Sequence, residues 1–115
     1  MTLWNVRTER ARAEPAGNGG YRVMMDVVAT KIRVDTATGT PAEIPMNDLV
    51  EIGVFAADSG SRPGEALYLQ RHRIRDGRQT ITVTVPRLPA RAGIDPARKL
   101  IDPNKGDNVV ELERR

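Results

Sequence analysis

The sequence predicts an all-β fold, an immunoglobulin-like antiparallel β-sandwich of about seven to eight strands, in a single domain over residues 1–115. Three observations predict it. Short runs rich in Val, Ile, Thr and Tyr alternate in hydrophobicity with a period of two. Gly, Pro, Asn and Asp separate these runs, and helical periodicity is nearly absent. So many short strands in one small chain favour two packed sheets over a closed barrel.

The first two runs are predicted strands with a glycine-rich turn between them. The first extends from residue 3 to about residue 12 and stops at residues 15–20 (PAGNGG), which tolerate positive φ. The second extends over residues 21–34. Because its apolar phase shifts after Val27, we expect a bulge or bend near residues 28–30.

The middle and the end of the chain add three further strands. Residues 43–46 contain Pro45, which cannot donate to a ladder and therefore predicts an edge strand. Residues 48–56 place Val50, Ile52 and Val54 on one face and predict a central strand. A short last strand is predicted over about residues 108–113.

The clearest local prediction is a β-hairpin over residues 65–85, because Asp76-Gly77 is a preferred two-residue turn. In the resulting register, one face is apolar and packs on the core: Tyr68, Ile74, Ile81, Val83 and Val85. The other face carries arginines and threonines: Arg71, Arg73, Arg75, Arg78, Thr80, Thr82 and Thr84. His72 lies opposite Ile81, where a structural role is favoured over acid–base chemistry.

The predicted core is built mainly from three of these strands. Its members are Trp4, Val50, Ile52, Val54, Phe55, Tyr68, Ile81 and Val83. The segment over residues 93–108 is expected to lock the end of the fold.

Composition excludes several classes of function. Eighteen Lys and Arg against fifteen Asp and Glu give a net charge of +3. The cations are spread along the whole chain, which has only four aromatic residues. A nucleic-acid binder would group its cations on one face with aromatic residues between them, so we expect no nucleic-acid partner. The absence of Cys excludes disulfides and Cys-based zinc sites. No apolar run approaches about 20 residues, so direct membrane insertion by this domain is not expected.

No catalytic constellation emerges from the sequence. Zinc-hydrolase chemistry needs two His at helical spacing, and the chain has one His. Ser59 and Ser61 lie in a Gly- and Pro-rich loop without the strand–turn–helix elbow that activates a nucleophile. Residues 17–20 resemble a phosphate-binding loop, but no Lys-Ser or Lys-Thr follows. We therefore expect a chain that is not an enzyme and has no catalytic residue, cofactor site or metal site.

One alternative to the last expectation is a calcium site near the C-terminus. Five oxygen-bearing side chains lie close together in sequence: Asp95, Asp102, Asn104, Asp107 and Asn108. Their spacing departs from the EF-hand loop, and Asp and Asn beside Pro and Gly are also typical of turns. The turn interpretation is favoured, and the calcium alternative stays open.

The best candidate contact surface is the arginine and threonine face of the predicted hairpin, with Arg71, Arg73, Arg75 and Arg78 as its cations. Guanidinium groups form forked hydrogen bonds with an anionic partner. The competing interpretation is an ordinary solvated sheet face, since charge commonly protects exposed strands from edge-to-edge pairing.

A resemblance to a known family narrows the expected function. Its most specific motifs are residues 89–96 (PARAGIDP), 99–104 (KLIDPN) and 107–109 (DNV). Further motifs upstream are Trp4-x-Val6 and residues 29–31 (ATK), 44–48 (IPMND), 50–55 (VEIGVF), 67–69 (LYL) and 79–83 (QTITV). In this order the chain resembles the C-terminal β domain of bacterial membrane proteins that fuse an ABC-transporter-type permease to an aminopeptidase N-like zinc metallopeptidase.

The resemblance implies a non-catalytic accessory domain that supports or positions the peptidase region of the same parent chain. It implies a parent in the bacterial cytoplasmic membrane, with this domain outside the cytoplasm as a C-terminal fragment. The peptidase motif His-Glu-x-x-His has no counterpart here, so any zinc belongs to the parent's peptidase region. The alternative is a free-standing immunoglobulin-like module for adhesion or ligand binding.

Overall fold

The computed structural model describes residues 1–97, 99–100 and 108–113. These residues form eight β-strands in two antiparallel four-stranded sheets, which confirms the predicted all-β fold. The strands are β1 (Thr2–Pro15), β2 (Tyr21–Val34), β3 (Pro41–Ile44), β4 (Asn47–Phe55), β5 (Ala66–Arg75), β6 (Gly77–Val85), β7 (Arg91–Ile94) and β8 (Val109–Glu111). The described residues contain no helix with the length and apolar character needed to cross a membrane.

Sheet A consists of β1, β2, β3 and β6, and sheet B has the order β5-β4-β7-β8. In sheet A, β1 lies on one side of β2, while β6 and β3 share its other side. The predicted edge strand therefore exists as β3, about two residues earlier than expected, with Pro45 just after its end. The predicted central strand exists as β4, which pairs with both β5 and β7.

Both sheets contribute to one hydrophobic core. Sheet A supplies Val6, Ala11, Val23, Met25, Val27, Ala29, Ile81, Val83 and Val85. Sheet B supplies Val50, Ile52, Val54, Ile74, Ala92 and Ile94. Trp4 and Tyr68, which were predicted as core residues, are half-buried and pack against this core. Residues of alternate positions along each strand thus face the other sheet, as the period of two predicts.

Phe55 is the one predicted core residue that lies outside the core. Its ring covers Gly53 on the outer face of sheet B, and Pro96 lies beside the same glycine. The reason is the pleat, because Phe55 shares the odd-numbered phase of β4 with Gly53 while the even-numbered residues point inward.

The predicted bulge near residues 28–30 is wrong. β2 pairs without interruption along its whole length, and Ala29 is buried in phase with the earlier core residues. The irregularity lies on β1 instead, where Glu9 is the extra residue between Thr8 and Arg10. This bulge moves Ala11 back into the core after Thr8.

The predicted hairpin over residues 65–85 is also wrong. β5 pairs with β4 in sheet B and β6 pairs with β2 in sheet A, so Asp76-Gly77 links the two sheets. A type I′ turn needs positive φ at both central residues, but only Gly77 has it, at 95°. Asp76 binds Met46 instead: the Met46 N–H donates to Asp76 Oδ1 at 3.0 Å, and the Asp76 N–H donates to the Met46 carbonyl at 3.3 Å.

A polar cluster joins the sheets near one end of the sandwich. Trp4 Nε1 of β1 donates to Asp48 Oδ2 of β4 at 2.9 Å. Lys31 Nζ of β2 lies 3.1 Å from the same carboxylate and 5.4 Å from the Trp4 ring centroid. The hydrogen bond from Trp4, with further support from Lys31, lowers the pKa of Asp48 below its ordinary value.

A second polar link is buried between β1 and β7. The Thr8 hydroxyl donates to the Asn108 carbonyl at 2.6 Å and accepts the Ile94 N–H at 3.2 Å. The Ile94 N–H also donates to the Asn108 carbonyl at 3.0 Å. Beside it, Gly93 packs so tightly on the Asn108 backbone that no Cβ fits there. Residues 93 and 108 thus hold this end of the fold together, as expected for the segment over residues 93–108. Residues 98 and 101–107 of the same segment lie outside the described residues.

Candidate contact surface

The four predicted contact arginines do not share one face. Arg71, Arg73 and Arg75 lie on β5 and point away from the core of sheet B. Arg78 lies on β6, in sheet A. The division follows directly from the missing hairpin, because the two strands belong to different sheets. Only the three arginines of β5 remain as one cluster.

These three arginines alternate with the inward residues of β5 and lie opposite odd-numbered residues of β4. The cross-strand pairs are Asn47–Arg75, Leu49–Arg73, Glu51–Arg71 and Gly53–Leu69. Leu49 is 54% exposed and Leu69 is 47% exposed. We call this surface, formed by Leu49, Leu69, Arg71, Arg73 and Arg75, the arginine–leucine face.

The guanidinium groups of this face have few partners. Arg73 Nη1 donates to the Asn47 carbonyl at 3.0 Å. Within the described parts of the chain, the side chains of Arg71 and Arg75 form no hydrogen bond or ion pair. Glu51 lies opposite Arg71 in the ladder, but its nearest cation is Lys99 Nζ at 3.8 Å. No carboxylate of the described residues therefore forms an ion pair with these cations, although Glu51 lies across the ladder from Arg71 and the charge of Arg73 helps to lower the pKa of Asp48.

The outer face of sheet A is different, because its arginines are paired with carboxylates. The pairs are Arg7–Glu9 at 3.6 Å, Arg12–Asp26 at 3.5 Å, Arg22–Glu14 at 3.3 Å and Arg78–Glu9 at 3.1 Å, and Arg10 binds Glu113 at 2.8 Å. Thr80 Oγ1 also donates to Asp26 Oδ1 at 2.8 Å. This network satisfies its own charges, so it is typical of a solvated sheet face.

Sequence reasoning missed the two exposed leucines. Each lies in the outward phase of its strand, Leu49 between Asn47 and Glu51 and Leu69 just before Arg71. The alternation of the sequence shows that both leucines point outward. It does not show whether they are exposed, because another element that packs on the sheet would cover them. Large exposed apolar side chains beside unpaired cations are typical of an interaction surface.

His72 lies on the inner side of β5, half-buried, with its Cα opposite Val50 rather than Ile81. Its Nε2 lies 2.5 Å from the hydroxyl of Tyr68, which is four residues earlier on the same strand. No acidic side chain takes part in this pair. The geometry fits the expected structural role, in which each ring supplies the polar partner of the other.

Of the five residues of the calcium alternative, Asp102, Asn104 and Asp107 lie outside the described residues. Asp95 is buried, and its two carboxylate oxygens each accept a backbone N–H, from Lys99 and Leu100, at 3.0 Å. Both oxygens of Asp95 are thus used by the backbone of the segment that follows it. Among the described residues, no three His, Asp or Glu side chains come together as a possible metal site.

A half-open cleft of about 930 Å³ lies at the end of the sandwich where β1 ends and β2 begins. Tyr21, Leu88 and Leu112 are among the apolar side chains that line it. Asp58 and Arg91 form an ion pair at 2.8 Å on its wall. None of the residues of the arginine–leucine face lines this cleft.

Comparison with protein-family models, curated proteins and solved structures finds no match to this chain.

Proposed function

We propose that this chain is a non-catalytic accessory domain that docks through its arginine–leucine face on a neighbouring region and holds that region in position. From the motif resemblance, the neighbour is an aminopeptidase N-like zinc metallopeptidase region of the same parent chain. The parent is then a transporter-permease fusion in the bacterial cytoplasmic membrane, with the domain on the extracytoplasmic side.

The contrast between the two outer faces carries this proposal. The outer face of sheet A pairs its arginines with carboxylates, while β5 leaves Arg71 and Arg75 without a partner among the described residues. Leu49 and Leu69 expose apolar surface beside them. Interfaces combine buried apolar contacts with charged groups that find partners across the boundary. A docked neighbour would cover the leucines and neutralise the arginines in one step.

We further propose that the sandwich belongs to the immunoglobulin-like type. Support comes from the strand order, in which β2 neighbours β6 in one sheet while β4, β7 and β8 are successive neighbours in the other. In immunoglobulin-like domains, the standard strands B and E share one sheet, and C, F and G share the other. Here β2 and β6 correspond to B and E, and β4, β7 and β8 correspond to C, F and G.

The proposed function is tested in two steps. The first reads the coding region around the sequence for membrane spans and a His-Glu-x-x-His motif. The second measures binding of the purified domain to the purified peptidase region by calorimetry. We expect binding that R71Q/R73Q/R75Q abolishes. A matched control, R12Q/R22Q/R33Q, removes the same charge from sheet A and should leave binding unchanged.

Two results would contradict the proposal. One is the absence of any encoded peptidase region. The other is binding that the control set weakens as much as the β5 set, because net charge rather than a specific face would then explain it.

The second candidate function is a free-standing module for ligand binding, and the cleft is the observation that favours it. Its volume of about 930 Å³ lies within the usual range for small-ligand sites. This function predicts that substitutions such as Leu88→Ser and Tyr21→Ser abolish ligand capture while the arginine substitutions do not. The docking proposal predicts the reverse order of effects.

A further inference from the structure

β5 is an exposed edge as well as an exposed face. It is the terminal strand of sheet B, paired with β4 on one side only. Along its other side, the described residues supply a single partner, the Gln79 side-chain amide, which donates to the Arg75 carbonyl at 2.7 Å. The remaining outward N–H and C=O groups of β5 therefore form a row that can pair with another strand.

This edge is regular over most of its length. Pairing with β4 is unbroken from Tyr68 to Arg75, and the only irregularity is at Leu67, near the start of the strand. The devices that usually blunt an edge are proline, a central bulge, a very short strand, an inward-pointing charge and charged side chains along the strand. Between Tyr68 and Arg75 only the last is present, in the outward Arg71, Arg73 and Arg75. These cations oppose pairing with another cationic strand but attract an acidic one.

The other strands at the sheet margins are less suitable. β3 has four residues and begins with Pro41, and β8 has three residues. β1 is interrupted by the bulge at Glu9 and bridges Glu113 through Arg12. β6 is long, but its only charged residue, Arg78, is already paired with Glu9.

We propose that β5 binds an extended acidic segment of a partner polypeptide, which adds to sheet B as a further strand. This inference rests on the proposed docking function of the same face. Successive outward side chains on a strand are about 6.8 Å apart. A segment with Asp or Glu at every second position would therefore place one carboxylate beside each of Arg71, Arg73 and Arg75 as a cross-strand pair.

The same geometry disfavours a second copy of this chain as the occupant. Two β5 strands paired antiparallel about Arg73 would place Arg71 of each copy opposite Arg75 of the other. Like charges directly opposite each other destabilise a sheet. The arginines therefore select against self-pairing and in favour of an acidic strand.

The test uses a fluorescent ten-residue peptide with Glu alternating with Thr and Val, and fluorescence anisotropy with the full chain. We expect saturable binding that weakens about tenfold in R71Q/R75Q, because two charge pairs are lost. The matched variant R33Q/R62Q removes two exposed arginines elsewhere and should bind as the parent chain does. A peptide with Lys in place of Glu should not bind.

Backbone pairing is tested separately from charge. Two forms of the Glu peptide carry N-methyl groups on alternate residues. In one form the odd-numbered residues are methylated and in the other the even-numbered residues, so each form blocks the N–H groups along one edge of the peptide strand. Strand addition predicts that one form loses binding and the other retains it, because only one edge faces β5. Equal binding of both forms would overturn the proposal, as it would reveal attraction by charge alone.

Two other outcomes also overturn it: no binding of the Glu peptide, and binding of vesicles of anionic lipid in its place. If the peptide fails while the peptidase region still binds in the calorimetric experiment above, strand addition is wrong and the docking function stands. If both fail, the docking function is wrong as well.

Discussion

Thr8→Val removes the buried hydroxyl that links β1 to β7 and to Asn108. Thr8 is 3% exposed, and its hydroxyl forms hydrogen bonds of 2.6 Å and 3.2 Å. Two hydrogen bonds are lost, at about 1 kcal/mol each. Neither partner is left unpaired, because the Ile94 N–H still donates to the Asn108 carbonyl. The added methyl group returns at most about 0.8 kcal/mol, so we expect a net loss of about 1 kcal/mol.

The assay is urea unfolding followed by Trp4 fluorescence, with the slope of the transition unchanged and the midpoint lowered. In a thermal scan, the same change lowers Tm by about 4 °C. Thr8→Ala should cost more, because it also vacates the space of a methyl group. The control is Thr82→Val, at an exposed position of β6, which should change stability by less than about 0.5 kcal/mol. If the Thr8→Val variant were as stable as the parent chain, or more stable, the buried hydrogen bonds of Thr8 would not stabilise the fold.

Three further predictions concern the core and the polar cluster. Gly93→Ala should destabilise the fold by about 3 kcal/mol, since its Cβ would overlap the Asn108 backbone; an unchanged Tm would contradict that packing. Ile52→Ala, at a fully buried position, should cost about 3 kcal/mol in urea unfolding, and a loss below about 1 kcal/mol would place Ile52 outside the core. Because the folded pKa of Asp48 is lowered, its stabilisation is present at neutral pH and is lost as pH falls through that lowered pKa. The stability difference between the parent chain and Asp48→Asn should therefore shrink below about pH 4, and a constant difference, measured by urea unfolding from pH 7 to pH 3, would exclude this effect.

Local patterns in the sequence predicted every described strand except β7, because alternation directly reports which side chains face a core and β7 has only four residues. Val50, Ile52 and Val54 are buried in the central strand that their spacing predicted. The same alternation placed Leu49 on the outward side of β4. What it could not provide was the pairing of strands, which depends on contacts between distant parts of the chain.

Asp76-Gly77 shows this limit most clearly. As a dipeptide it favours a hairpin, but here Asp76 binds Met46 and the chain crosses to the other sheet. The candidate surface changed as a result, because Arg78 moved to the opposite side of the sandwich and bound Glu9. The bulge was misplaced for a related reason. A shift of phase in β2 suggested an extra residue there, whereas the extra residue is Glu9 on its neighbour.

The central claim is that the arginine–leucine face, and not the outer face of sheet A, contacts the neighbouring region. Its most direct test is site-specific photo-crosslinking within the intact polypeptide that contains this domain. A benzophenone amino acid is introduced at Leu69 or, as a matched outward position of sheet A, at Thr82, and the crosslinked peptides are identified by mass spectrometry. We predict that position 69 crosslinks to the peptidase region and that position 82 does not. Crosslinks from position 82 alone, or from neither position, would contradict the account.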